Sequence, residues 1–178
     1  MGIKRIIQNR LLVSAKPFAH KRRWRPGETP LQLVGLIYYL EDISELGLVK
    51  RVQKLFSAQG AVCHTCIYQK DKKMILPEEL IDEDMVLLNR DSLNWYGQVR
   101  TGCAEFFLHE SFDIIVDLSK DFFFPITYLV SMSKATLKIG RFVHPQGPFR
   151  LVLGANNPED EDAFIELLNS SLQFLQFG

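Results

Sequence analysis

Residues Phe112–Arg141 read FDIIVDLSKDFFFPITYLVSMSKATLKIGR. Ile114, Ile115, Val116 and Leu118 make a near-continuous apolar run, opened by Asp113 and closed by Asp117, Ser119, Lys120 and Asp121. A short run that is apolar on both faces suits a central parallel strand with helices on both sides. Pro125 stands near the start of the next segment, where a missing N–H costs a helix little. Ile126, Leu129, Val130 and Ser133 then recur at roughly helical spacing. Thr136–Ile139 reads as a second strand that stops at Gly140. Strand, short helix and strand make a right-handed crossover with parallel strands. In such sheets ligands sit beyond the carboxyl ends of the strands. That rule puts Asp117, Ser119 and Lys120 on the functional edge.

Upstream, Leu33–Leu40 is the first core strand and ends in Glu41 and Asp42, with Ser44 as a helix start signal. The helix after it puts Leu48, Val49, Val52, Leu55 and Phe56 on one face and stops at Gly60. The G-x-G-x-x-G turn that cradles a pyrophosphate is absent, and two acids at that edge would repel one. This argues against ordinary dinucleotide binding. Ala61–Gln69 is the second strand. Its Cys63-His64-Thr65-Cys66 has C-x-x-C spacing, but side chains three apart on a strand point to opposite faces, so packed, inert thiols are expected. Met85–Asn89 reads as a short edge strand. The loop after it carries Asn94, Trp95 and Tyr96, a candidate recognition surface. The alternative is a loop that plugs the sheet edge with Trp95. A helix from Thr101 to His109 offers an anion its N-terminus, with Arg100 beside it. Ser119, His109 and Asp117 are the ingredients of a triad, but no G-x-S-x-G elbow presents the serine.

Downstream, Pro145-Gln146-Gly147-Pro148 is a turn signature. Leu151–Gly154 is expected as an edge strand antiparallel to Thr136–Ile139. Glu159, Asp160, Glu161 and Asp162 fill the first turn of a final helix, where acids complement the dipole. Phe164, Leu167, Leu168, Leu172 and Leu175 give that helix a core face.

The chain has 178 residues, 47% apolar and 24% charged, which fits one soluble globular domain. Its formal charge is zero but unevenly spread. Residues 1–27 hold eight Lys or Arg and no acid, so the rest holds 13 basic and 21 acidic residues, a net of −8. Residues 3–15 can form a helix with Ile3, Ile6, Ile7 and Leu11 on one side and Lys4, Arg5 and Gln8 on the other. Lys21, Arg22, Arg23, Trp24 and Arg25 follow, an arm suited to RNA or anionic lipid, with Trp24 able to stack on a base. The plainer reading docks this helix on the acidic body with its basic face solvated. No apolar run is long enough to cross a membrane, no secretory signal stands out, and three Cys suit a reducing compartment, so a cytoplasmic protein is expected. No metal-ligand pattern and no cofactor motif is present.

The pattern FDIIVDLS, then an apolar helix, then SKATLKIGR resembles the acceptor-side, N-terminal half of heptosyltransferase-like GT-B glycosyltransferases. In those enzymes a hydrophobic strand ending in Asp-Leu precedes a helix and a basic-Ile-Gly strand. They bind the sugar nucleotide in a second Rossmann-like domain, for which this sequence leaves no residues. The whole chain is similar to a family of small uncharacterised bacterial proteins. These share a basic amino terminus, a segment like Leu93–Gly97 (LNWYG) and the D-L-S…K-I-G core. That resemblance implies no particular activity.

The expected fold is α/β: one three-layer Rossmann-like domain over residues 28–178, with about five mostly parallel strands and helices on both faces, preceded by a basic helix and arm over residues 1–27. The leading functional expectation is a non-catalytic binding or interaction module, a degenerate GT-B-like half, with a protein partner or small ligand. Its rival is a small transferase- or hydrolase-like enzyme using Asp117, with Ser119, Lys120 and Glu41 nearby. A third reading has the basic arm bind an anionic surface.

Overall fold

The computed structural model describes residues 2–15, 29–78, 81–83, 85–100, 102–154, 157 and 159–177. Helix α1 spans Ile3–Ser14 and is followed by β1 (Leu33–Leu40), α2 (Leu46–Ser57), β2 (Val62–Gln69) and β3 (Met85–Leu88). Then come α3 (Glu105–His109), β4 (Ser111–Asp117), α4 (Phe124–Met132), β5 (Lys134–Gly140), β6 (Leu151–Val152) and α5 (Glu161–Phe177). The six strands form one sheet in the order β3-β2-β1-β4-β5-β6, and every adjacent pair is parallel. This is the Rossmann order, with its switch point between β1 and β4.

Alternation along each strand builds the layers. Val34, Leu36, Tyr38 and Leu40 of β1 join Ile114 and Val116 of β4 against α2 and α5, whose Val52, Phe56, Phe164 and Leu168 are buried there. Ile37 and Ile115 point the other way, onto Phe107 of α3 and Ile126, Leu129 and Val130 of α4. Gly35 is required on this second face: a Cβ there would stand 3.0–3.2 Å from Ile115, Phe112 and Phe107. At the amino edge the buried Asp113 carboxylate accepts from the N–H groups of Gln32 (2.8 Å) and Leu33 (3.1 Å), fixing the start of β1 beside β4.

Three expectations need correction. The sheet has six strands and all are parallel. β6 was expected to be an antiparallel edge strand, following the turn signature Pro145-Gln146-Gly147-Pro148. Instead residues 141–150 cross back over the α4 face without a helix, and Arg150 N–H donates to Lys138 O (2.9 Å) to start β6 beside the end of β5. The helix expected from Thr101 is only the five-residue α3; Gly102 has φ +94 before it and Thr101 lies outside the described residues. Finally, α1 docks on α4 through Leu11, Leu12 and Ala15 against Phe124 and Tyr128, while Gln8 Nε2 donates to Tyr96 O (2.7 Å). Ile3 and Ile6, expected on the packed side, face solvent.

Candidate functional site

The strand ends at the switch point are filled by the protein's own side chains. Asp117, the last residue of β4, is fully buried, and its Oδ1 accepts from Ser119 N–H (3.0 Å). Its Oδ2 has no hydrogen-bond partner among the described residues. Burial pushes the Asp117 carboxyl up to about 7, against the pull of the Ser119 hydrogen bonds and the Arg141 charge. The Ser119 hydroxyl oxygen accepts from Tyr39 N–H (3.0 Å), so it serves the backbone of β1.

Lys120 bridges two chain-distant acids, Glu45 (3.1 Å) and Glu159 (3.2 Å), and these partners hold its pKa above the usual lysine range. Glu41 turns outward to Lys70 (2.8 Å), whose hydrogen bond lowers its pKa. The structure therefore does not gather Asp117, Ser119, Lys120 and Glu41 around one open space. Arg141, which was not singled out from the sequence, is nearly fully buried beside them. Its Nη1 donates to Leu118 O (3.0 Å), its guanidinium lies 5.1 Å from the centre of the Phe164 ring, and it feels Tyr38, Glu161, Glu159 and Glu45. On the α4 side, the Phe123 ring stacks on Tyr39 (4.2 Å) and tilts against Tyr68 (4.7 Å). A charged network thus closes one side of the edge and an aromatic plug the other.

The loop candidates separate. Asn94 Oδ1 accepts from Gln98 N–H (2.9 Å), Tyr96 hydroxyl donates to Gln98 Oε1 (2.9 Å), and Gln98 Nε2 donates to the Tyr128 hydroxyl (3.1 Å). Asn94 and Tyr96 therefore hold the loop to α4. Trp95 does not plug the sheet: it is 68% exposed, edge-on to Tyr96. Arg100 does not wait at a helix end for an anion; its Nε donates to Leu93 O (3.1 Å). Lys21, Arg22, Arg23, Trp24 and Arg25 lie outside the described residues. Cys63 and Cys66 point to opposite layers, and burial raises both thiols, Cys63 to about 11. No group of three His, Cys, Asp or Glu among the described residues could hold a metal ion.

Open space lies instead along α1. A groove of about 600 Å³ runs between Lys4, Arg5 and Gln8 on α1 and Phe122 and His144 in the loops after β4 and β5. The rings of Phe122 and His144 stack at 4.1 Å. Burial lowers the His144 pKa, and its Nδ1 accepts from Gln146 N–H (3.2 Å). Gln146 also borders a cleft of about 350 Å³ that reaches Lys138 on β5. The sequence marked neither space, because each depends on where residues 141–150 cross the sheet.

A family model for DUF6913, a family of unknown function, matches residues 4–175. The chain belongs to DUF6913. No curated protein and no solved structure matches it. The DUF6913 match takes in α1 as well as the sheet, so the helix that borders both open spaces is part of the family's pattern. No helix among the described residues of this DUF6913 chain is long and apolar enough to cross a membrane.

Proposed function

We infer that the protein is a non-catalytic binding module. The Rossmann-order sheet is its scaffold, and ligand is taken along α1, in the spaces bordered by the β5–β6 connection. The filled strand edge carries this reading. A reaction at the switch point needs room beside Asp117 and a Lys120 able to meet substrate. Asp117 is instead enclosed and Lys120 is held between two carboxylates. The rival enzyme reading draws support from the rise of Asp117 to about 7, a value suited to a base near neutrality. The enclosure of that same carboxyl works against it. Kinship with a GT-B-like half draws on the Phe112–Arg141 pattern alone, since the strand order is that of Rossmann-like sheets in general.

A thermal-shift screen of the full chain against nucleotides, sugar phosphates and small carboxylates tests the reading. A ligand at about 100 times its dissociation constant adds roughly 2.7 kcal/mol to stability. Hits are expected to survive in Asp117→Asn, with no turnover of the ligand. Turnover that disappears in Asp117→Asn would transfer the function to the enzyme reading.

A second reading is favoured by the outer face of α1. Ile3 and Val13 are each 73% exposed and Ile6 is 43% exposed, with Arg10 exposed among them and Lys4 and Arg5 exposed at their border with the groove. We propose that this face rests on an anionic bilayer, with the aliphatic side chains in the headgroup boundary and the cations on lipid phosphates. RNA would satisfy the cations but offers no sink for the aliphatics. The full chain is expected to pellet with vesicles of mixed phosphatidylglycerol and phosphatidylcholine, but not with phosphatidylcholine alone. Replacing Ile3, Ile6 and Val13 by Ser should abolish pelleting. RNA binding without vesicle binding would reject the bilayer.

A further inference from the structure

Lys138 lies near the end of β5, on the face turned to α4, and is only 7% exposed. A buried ammonium needs acceptors or a counter-charge. Its Nζ donates to Ser131 O (3.0 Å), one of the last carbonyls of α4, where a cation is favoured. An ammonium carries three donors. The other two meet no protein acceptor among the described residues. Among the described residues, the elements packed around it bring no acid: Ser131 comes from α4, Thr136 from β5, Leu12 and Ala15 from α1, and Gln146 and Arg150 from the β5–β6 connection. The Arg150 side chain makes no hydrogen bond or ion pair among the described residues and is exposed. Two cations therefore border a cleft of about 350 Å³ to which the described residues bring no carboxylate, inside the roughly 300–1,000 Å³ range of ligand pockets.

We propose that this cleft is an anion site that takes the carboxylate or phosphate group of a small ligand, with Lys138 and Arg150 as its cationic partners. The proposal rests on the binding-module reading and names the chemistry of the ligand. Burial holds Lys138 down to about 8, so close to that pH a large share of the side chain is uncharged in the free protein. An anion in the cleft supplies the missing counter-charge and raises this pKa. Binding is then accompanied by proton uptake.

The test is isothermal titration calorimetry on the full chain with inorganic phosphate and, separately, acetate. Titrations at pH 8 in two buffers of different ionisation enthalpy give the proton count. Binding of at least one probe in the millimolar range, with net proton uptake, is the expected result. Lys138→Met should weaken it tenfold or more and remove the uptake, whereas Arg150→Met should weaken it and keep the uptake. Lys138→Met deletes a buried charge, and its thermal unfolding, followed by circular dichroism, checks that it folds. No binding of either probe, or equal binding by wild type and Lys138→Met, overturns the proposal. Phosphate binding without acetate binding assigns a phosphate ligand, and the converse a carboxylate. If both probes fail while the screen still returns a ligand indifferent to Asp117→Asn, only the anion site falls and the module reading stands.

Discussion

Lys138 and Arg141 are three residues apart at the end of β5 and face opposite layers of the sheet. Both are cationic and almost fully buried. Arg141 is answered from inside the protein, by Leu118 O, the Phe164 ring and the field of Glu45, Glu159 and Glu161. Among the described residues, Lys138 is answered by one carbonyl and by a cleft without a carboxylate. One face of the strand end is finished as structure and the other is left incomplete. Burying a charge is tolerable only where something compensates it, so the difference marks where an outside partner belongs.

The sharpest way to break this contrast is to remove each cation in turn. Arg141→Met is expected to cost about 3–5 kcal/mol in urea unfolding at pH 7, since it leaves the buried Asp117 carboxyl without the neighbouring charge and the buried Leu118 carbonyl without its donor. Lys138→Met is expected to be neutral or stabilising, because it deletes a poorly compensated charge. Equal losses would erase the distinction. The pH dependence sharpens it further. Asp117 has a folded pKa raised from 3.8 to about 7, so the folded state holds more protons than the unfolded one between those values. Its contribution is full at low pH and is lost as pH rises from about 4 to 7, by up to about 1.4 kcal/mol per pH unit. Lys138 is depressed from 10.5 to about 8. Its contribution is full above 10.5 and is lost as pH falls to 8. Asp117→Asn should flatten the acid limb of a stability–pH profile and Lys138→Met the alkaline limb, each leaving the other in place.

Gly140→Ala probes the cover of the open side. A Cβ there would stand 2.6 Å from the Phe149 ring, so the β5–β6 connection must shift, at about 1–3 kcal/mol. Phe149→Ala in the same chain should relieve that strain, as read by thermal unfolding. Lys120→Ala is the smallest change. Its ion pairs are partly exposed, and a loss under about 1 kcal/mol is expected.

The repeating parts of the fold were legible. The apolar runs of β1, β2 and β4, the helical spacing of α2, α4 and α5 and the opposite faces of Cys63 and Cys66 all follow from local periodicity, except that Leu167, expected on the core face of α5, is 46% exposed. Asp117 was rightly placed at a strand end, but its enclosure was not visible, because Phe123, Tyr39 and Tyr68 meet there only through the sheet order. The direction of β6 was missed because a Pro-Gly turn signature does not tell a hairpin from a crossover. The docked face of α1 was missed because hydrophobicity alone put Ile3 and Ile6 inward, whereas Gln8 is drawn to Tyr96 O. Lys120 and Glu159 are 39 residues apart, and no local pattern announces such a bridge.

The Asp113 staple has a consequence for how the chain reaches this state. Within each half of the sheet, strands meet across modest stretches of chain. The β1–β4 join, by contrast, closes a separation of 80 residues. Loop closure of that length is paid before its contacts form, which makes the join the natural bottleneck in folding. The Asp113 carboxylate, gripping two amides of the incoming strand, is the group that catches it. Asp113→Ala should therefore slow refolding more than it speeds unfolding, as the two arms of a chevron plot would show. The central seam of the sheet is then the last joint to set, and a single side chain acts as its latch.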